Sequence, residues 1–285
     1  MNRIITGTMT WGAWGRKFTS SEMSILIQQC VDLGLDAFDH ADIYGGYTTE
    51  EAFGQGFKKS GIARTSVVHI TKCGIQYPCE RRPLAVKHYD YSKAHIIASV
   101  EQSLRNLQTD YIDVLLLHRP SPLLAIEEVA AAIETLQNSG KVKSFGVSNF
   151  TPSQIELLQT AVTVEWNQIE CSLSQSTAMF DGSLDIHQTK GIKTMAWSPL
   201  GNYFSENREN NPKLDALMNE LKEKYNASID QLLLAWVLQH PAHIYPVVGT
   251  TRIERLTKAK ETPTLELALE DWFLMLETQD GAPLP

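Results

Sequence analysis

The feature that most constrains this chain is a repeated alternation. Short β-branched or apolar runs are each followed by a longer stretch with helical spacing, about every 30 residues from Arg3 to Lys260, the length of one strand–helix unit. Eight runs read as strands: IITGTM, LDAFDHA, SVVHITKC, DYIDVLLLH, KSFGVSNF, VEWNQIE, IKTMAWS and HIYPVVG. Alternation of this kind argues for parallel strands joined by helical crossovers. Helix punctuation supports it. Thr19-Ser-Ser-Glu22 is a capping box ahead of Met23, Leu26, Ile27, Cys30 and Val31, and Gly34 ends that helix. Thr151-Pro-Ser-Gln154 repeats the pattern with proline at the first helical position, and Ser121-Pro122 and Gly140 bracket another helix. Asp230 to Gln239 reads as an apolar helix inserted before the eighth strand, and Leu265 to Glu277 as a terminal one.

With 285 residues, 43% of them hydrophobic, and no second composition regime, one domain spanning 1–285 is expected. The predicted fold is α/β, an eight-stranded (β/α) barrel of the TIM type. Two connections read as long irregular loops, Gly74 to Tyr91 and Pro199 to Pro212, and such loops in a compact barrel are usually binding loops.

A formal charge of -8 repels a nucleic-acid backbone and an anionic membrane, so neither is an expected partner. The N-terminal MNRIITGTMTWG carries no apolar core with a cleavage site, and the longest apolar run, Leu232 to Leu238, is too short to span a bilayer. A cytoplasmic protein is expected. Cys30, Cys73, Cys79 and Cys171 form no CxxC pair and read as buried thiols rather than a disulfide framework. His240 and His243 are the only close histidine pair, no HExxH occurs, and no metal site is expected.

Polar residues that are costly to bury gather at the C-terminal ends of the strands: Asp39, Lys72, His118, Ser148 with Asn149, Gln168, and Ser198. In a (β/α) barrel those ends meet on the face that carries active sites. Singly, each has an ordinary reading, such as a cap, a core histidine or a strand-end lysine. Together, Lys72 and Asp39 would pair in a partly desolvated pocket, and Tyr44, five residues past the aspartate, can reach it. The lysine cation is expected to favour the phenolate and bring the tyrosine nearer the working range, with a neutral histidine holding a carbonyl oxygen against the phenol.

Two other enzyme readings are open. Tyr89 and Lys93 have the Tyr-x-x-x-Lys spacing of short-chain dehydrogenases, but without a glycine-rich turn. Lys72 could form a Schiff base, which leaves Trp197 and the Ser-Asn-Gln set unexplained. Gly54-Gln-Gly56 is a fragment and no dinucleotide fingerprint. Arg81-Arg82 reads as a solvated loop tip rather than an anion subsite.

GTMTWG (Gly7 to Gly12), DHADIYGG (Asp39 to Gly46), TKCG (Thr71 to Gly74), LLLHRP (Leu115 to Pro120), GVSNF (Gly146 to Phe150), NQIE (Asn167 to Glu170), AWSPLG (Ala196 to Gly201) and PVVGTTRIERL (Pro246 to Leu256) follow in order over nearly the whole chain. The set resembles the aldo-keto reductase superfamily, most of all its bacterial predicted-oxidoreductase branch. The resemblance implies an NADP-dependent oxidoreductase that reduces a small-molecule carbonyl substrate, with the pro-R hydride of NADPH passing to the carbonyl carbon. Tyr44 would be the proton donor, in a tetrad with Asp39, Lys72 and His118. Ser148, Asn149 and Gln168 would bind the nicotinamide carboxamide, and Trp197 would stack on the ring. Ser198, Leu200, Thr250 and Arg255 would meet the phosphates, in a basic segment that includes Arg252; an arginine fork at a helix start suits a 2′-phosphate. Trp11, Tyr77 and Tyr203 are the expected substrate-wall residues. In place of the family's frequent adenine-contacting Glu-Asn pair stands Lys258-Ala259. The N-terminal hairpin that plugs many such barrels is expected to be absent or very short, and the protein a monomer. The superfamily also includes NADPH-bound regulatory subunits with little turnover, which is the alternative reading.

Overall fold

The computed structural model describes residues 2–283. The strands are β1 (Ile5–Gly7), β2 (Ala37–Asp39), β3 (Val68–Cys73), β4 (Ile75–Gln76), β5 (His88–Tyr89), β6 (Ile112–Leu117), β7 (Val142–Ser148), β8 (Trp166–Glu170), β9 (Lys193–Trp197) and β10 (Tyr245–Val248). All but β4 and β5 pair in parallel and close into a barrel in the order β1-β10-β9-β8-β7-β6-β3-β2. Seven of the eight barrel strands fall within the runs named above, β7 begins one residue ahead of its run at Val142, and the first strand described is already a barrel strand.

Around them run α1 (Ser20–Asp32), α2 (Tyr44–Tyr47), α3 (Thr49–Ser60), α4 (Lys93–Leu107), α5 (Ile126–Asn138), α6 (Pro152–Gln159), α7 (Ser183–Lys190), α8 (Pro212–Tyr225), α9 (Ile229–Leu238), α10 (Ile253–Glu261) and α11 (Leu269–Asp280). None is long and apolar enough to cross a membrane. The capping boxes at Thr19 and Thr151 both form, with the side chain of each cap bonding the residue three positions on.

The barrel interior is filled from alternate strand positions, as a two-residue side-chain period requires. Ile5, Ala37, Ile70, Val114, Leu116, Trp166, Met195 and Val247 form one buried cluster. Trp166 fits because β7 offers glycine beside it. A Cβ on Gly146 would stand 2.4 Å from the Trp166 carbonyl oxygen and 2.6 Å from its Cβ. The indole then donates through Nε1 to Ser144 Oγ, 3.0 Å away, so its one polar atom is satisfied.

Several expectations need correction. The segment after β3 is no irregular loop throughout: Ile75 and Gln76 pair antiparallel with Tyr89 and His88, and Cys79 bridges Arg82. A two-residue ladder carries too little periodicity to be read in advance. Helix α5 starts at Ile126, five residues past Ser121, because 122–125 turn before the helix begins. Helix α8 went unread although its punctuation is ordinary: Asn211 caps Leu214, Pro212 opens the helix and Asn226 closes it in the left-handed region. Cys79 is half-buried, unlike the other three thiols, because it sits on the hairpin rather than in a strand or helix.

Candidate active site

Every barrel strand ends at one face, and the polar strand-end residues converge there. The segment after β2 turns through Ala41–Ile43 into α2, a single turn in which Gly45 and Gly46 adopt φ of 63° and 67°. Only glycine takes such values without strain. The left-handed pair breaks the helical path inside this turn, directly after Tyr44, whose phenol lines the cavity at the barrel mouth.

Beneath it lies a buried ion pair. Lys72 Nζ donates to both Asp39 carboxylate oxygens at 2.8 Å and to the His40 carbonyl at 2.8 Å. It also reaches Tyr44 Oη at 3.3 Å. Lys72 and Asp39 are 1% and 3% exposed, so neither charge is viable alone. Burial works against the ammonium, but Asp39 and Tyr44 together outweigh it and hold Lys72 above the ordinary lysine range. A buried ammonium paired with Asp39 and absent from the cavity lining is poorly placed to attack a carbonyl, which counts against the Schiff-base reading. Because the ammonium donates to the phenol oxygen, the phenol keeps its own O–H free.

Tyr44 differs from the sequence expectation. Burial pushes its pKa above the usual tyrosine value, and Lys72 offsets that rise without reversing it. The group is therefore a protonated phenol near neutrality. His118 sits edge-on to it, ring centroids 6.1 Å apart. Burial, reinforced by Lys72, Arg119 and Lys87, holds His118 well below the usual imidazole range, so it is neutral.

A second network ties the other strand ends together. Trp197 Nε1 donates to Asn149 Oδ1 at 2.9 Å, Asn149 Nδ2 to Ser148 Oγ at 2.8 Å, and Ser148 Oγ to the Gln168 carbonyl at 2.9 Å. Gln168 Nε2 closes the circuit on Asp39 Oδ1 at 2.9 Å. Asn149 and Ser198 have φ of 60° and 49°, an unfavourable backbone for residues with a Cβ that recurs at functional sites.

These residues surround one cavity of about 810 Å³, large enough for a cofactor and a small substrate. Asp39, Tyr44, His118, Ser148, Asn149, Gln168, Trp197, Ser198, Leu200, Thr250, Arg255 and Tyr77 all line it. A sequence model of the aldo/keto reductase family matches residues 3–274.

The chain belongs to the aldo/keto reductase family. It is 41% identical to the uncharacterized oxidoreductase YcsN of Bacillus subtilis, over 100% of this chain and 96% of that protein. It is 42% identical to the 6-dehydroglucose reductase of Agrobacterium fabrum, over 96% and 92% of the two. Among solved structures, an aldo/keto reductase from Klebsiella pneumoniae in complex with NADP and acetate matches with a TM-score of 0.81 at 26% identity. That match covers 99% of this chain and 93% of the other.

Four expected site residues of this aldo/keto reductase are absent from the cavity lining: Lys72, which lies beneath Tyr44, and Trp11, Tyr203 and Arg252. Trp11 is fully buried against Phe18, Phe38 and Phe53, under α1 and α3; the wall indole is Trp14, three residues on and 40% exposed. Tyr203 bonds Asp215 Oδ1 through its hydroxyl at 3.0 Å and packs under Arg208, which turns it from the cavity, and its neighbour Phe204 lines the wall instead. Arg252 is the N-cap of α10 in extended backbone and is exposed on its outer side, one turn from the lining Arg255. Sequence reasoning also missed Arg119 and Lys87, both lining, although Arg119 follows His118 directly in the LLLHRP motif.

Proposed function

We propose that this aldo/keto reductase reduces an aldehyde or ketone to the alcohol with NADPH, and that Tyr44 delivers the proton. The observation that carries the reading is the Lys72 ammonium, held by Asp39 and donating to the Tyr44 phenol beside a neutral His118 in a cavity wall.

The residues present fit the cofactor. Arg255, at the start of α10, lines the cavity and forms no ion pair among the described residues, so a phosphate has an open guanidinium and a helix N-terminus to meet. Ser148, Asn149 and Gln168 would bind the carboxamide, Trp197 would offer its ring face, and Ser198, Leu200 and Thr250 would meet the phosphates. Bound NADPH supplies a hydride to the carbonyl carbon. The chain does the rest: neutral His118 donates to the carbonyl oxygen and sets it against Tyr44. The Tyr44 O–H bond breaks as the oxygen gains negative charge, and Lys72 stabilises the phenolate left behind. Asp39 keeps Lys72 charged and in place. The intact arrangement favours catalysis over a regulatory subunit with little turnover.

The test is NADPH consumption by purified protein against a reactive quinone, a nitro-aromatic aldehyde and a sugar aldehyde, the last chosen for the Agrobacterium relative, with NADH alongside. Turnover with NADPH is expected. Since Tyr44 is active when protonated and its pKa is raised, kcat/KM should hold through weakly basic pH and fall only above about pH 10. No acid limb is expected near 6.5, because His118 is already neutral there. Tight NADPH binding without turnover supports the regulatory reading, and failure to bind either nucleotide overturns both.

Arg255→Gln is expected to raise the KM for NADPH about tenfold, from the loss of a charge-assisted contact of about 1.5 kcal/mol or more. The KM for NADH should change little; a parallel rise for both nucleotides would place Arg255 elsewhere than at the 2′-phosphate.

A further inference from the structure

Trp14, Tyr77 and Phe204 line the same cavity as Tyr44 and His118, with Trp14 packed edge-on to Tyr77 at 5.5 Å and tilted over Tyr44 at 6.2 Å. Set among these aromatic walls are two cations the mechanism above does not use, Arg119 and Lys87. Among the described residues neither forms an ion pair or a side-chain hydrogen bond. Arg119 is nonetheless held in position: Tyr91 Oη accepts from its N–H at 3.1 Å and donates to its carbonyl at 2.5 Å, and its guanidinium lies 5.4 Å over the Trp197 ring. A guanidinium fixed at its root with its donors free is arranged to receive an anion. Glu170 senses Arg119, which opposes the rise that burial causes in its carboxyl pKa, but the two do not make contact. Of the two acids that line the cavity, Asp39 is already paired with Lys72 and Asp230 sits in the first turn of α9. The two arginines between β4 and β5 are engaged elsewhere. Arg81 bonds the Tyr47 carbonyl and Glu51, and Arg82 bonds Gln76 and lies on the Tyr47 ring.

We propose that this cavity selects carbonyl compounds that carry a carboxylate on an apolar or aromatic frame, with Arg119 and Lys87 holding the carboxylate while the carbonyl meets Tyr44 and His118. The proposal rests on the reductase reading above. It names an anionic substrate class, whereas a sugar aldehyde is neutral.

The experiment compares 4-carboxybenzaldehyde with its neutral methyl ester, as substrates with NADPH. In parallel, the matching 4-carboxybenzyl alcohol and its methyl ester are titrated against the intrinsic tryptophan fluorescence of the full chain. The expected result is a kcat/KM ratio of acid to ester of about tenfold or more, the worth of one charge-assisted contact, expressed mainly in KM and shrinking with added salt. In Arg119→Gln, Lys87→Gln and the double variant the ratio should fall toward one, as should the preference in binding. An ester reduced as well as the acid by the unaltered protein overturns the proposal and leaves the reductase reading standing, and so does a preference that survives the double variant. Selective, Arg119-dependent binding of the acid with no carbonyl reduced supports the anion subsite and overturns the reductase reading instead.

Discussion

Tyr44→Phe is expected to lower kcat for carbonyl reduction by about a thousandfold, within the range attributed to a positioned general acid, while NADPH binding and thermal stability change little. The separation of effects follows from the hydrogen bonds. Lys72 has three N–H donors and three closer acceptors besides the phenol, two on Asp39 and one on His40. Loss of the hydroxyl therefore leaves no buried donor unsatisfied. The phenylalanine ring keeps the contacts with Trp14 and His118, so the cavity wall stays closed. The measurement is single-turnover reduction beside NADPH titration and thermal melting. A variant that retains more than a tenth of the unaltered rate would show that the proton comes from another group.

Lys72→Met is expected to abolish turnover and also to destabilise the protein by about 3–5 kcal/mol, the cost of leaving a buried charge without its partner. Asp39 would keep only the Gln168 amide. Stranded in that environment, its carboxyl must rise above its unfolded value, so the folded variant binds a proton that the unfolded chain does not. The deficit should accordingly shrink as pH falls through the raised pKa, opposite to the acid loss of stability of an ordinary paired carboxylate. Denaturant midpoints at neutral and mildly acidic pH measure it. Asp39→Asn/Lys72→Met should recover much of the stability and none of the activity. If the single variant is as stable as the parent at neutral pH, the ion pair is not the structural element described here.

The largest parts of this reading were open to inspection in the linear chain. Eight apolar runs separated by capped helical segments identify the barrel, because strand and helix periodicity are local properties and the boxes at Thr19 and Thr151 close within four residues. Strand-end polarity located the face: Asp39, Lys72, His118, Ser148, Asn149, Gln168 and Ser198 are conspicuous because each interrupts an apolar run at the same relative place.

What the chain could not disclose is how each side chain points once the loops fold. Trp11 and Trp14 sit in one short segment, and only packing under α1 and α3 sends the first into the core and the second to the cavity. Tyr203 and Phe204 divide in the same way, since the partner that captures the tyrosine, Asp215, comes from a helix that begins only at Pro212. The direction of the Tyr44 pKa is likewise a tertiary result. A lysine nearby argues for a lowered value, but desolvation depends on everything that covers the phenol, and here it is the larger effect. Short-range pattern thus determined the barrel and the residues at its mouth, while burial and the choice among neighbouring side chains were settled only by contacts between segments far apart in the chain.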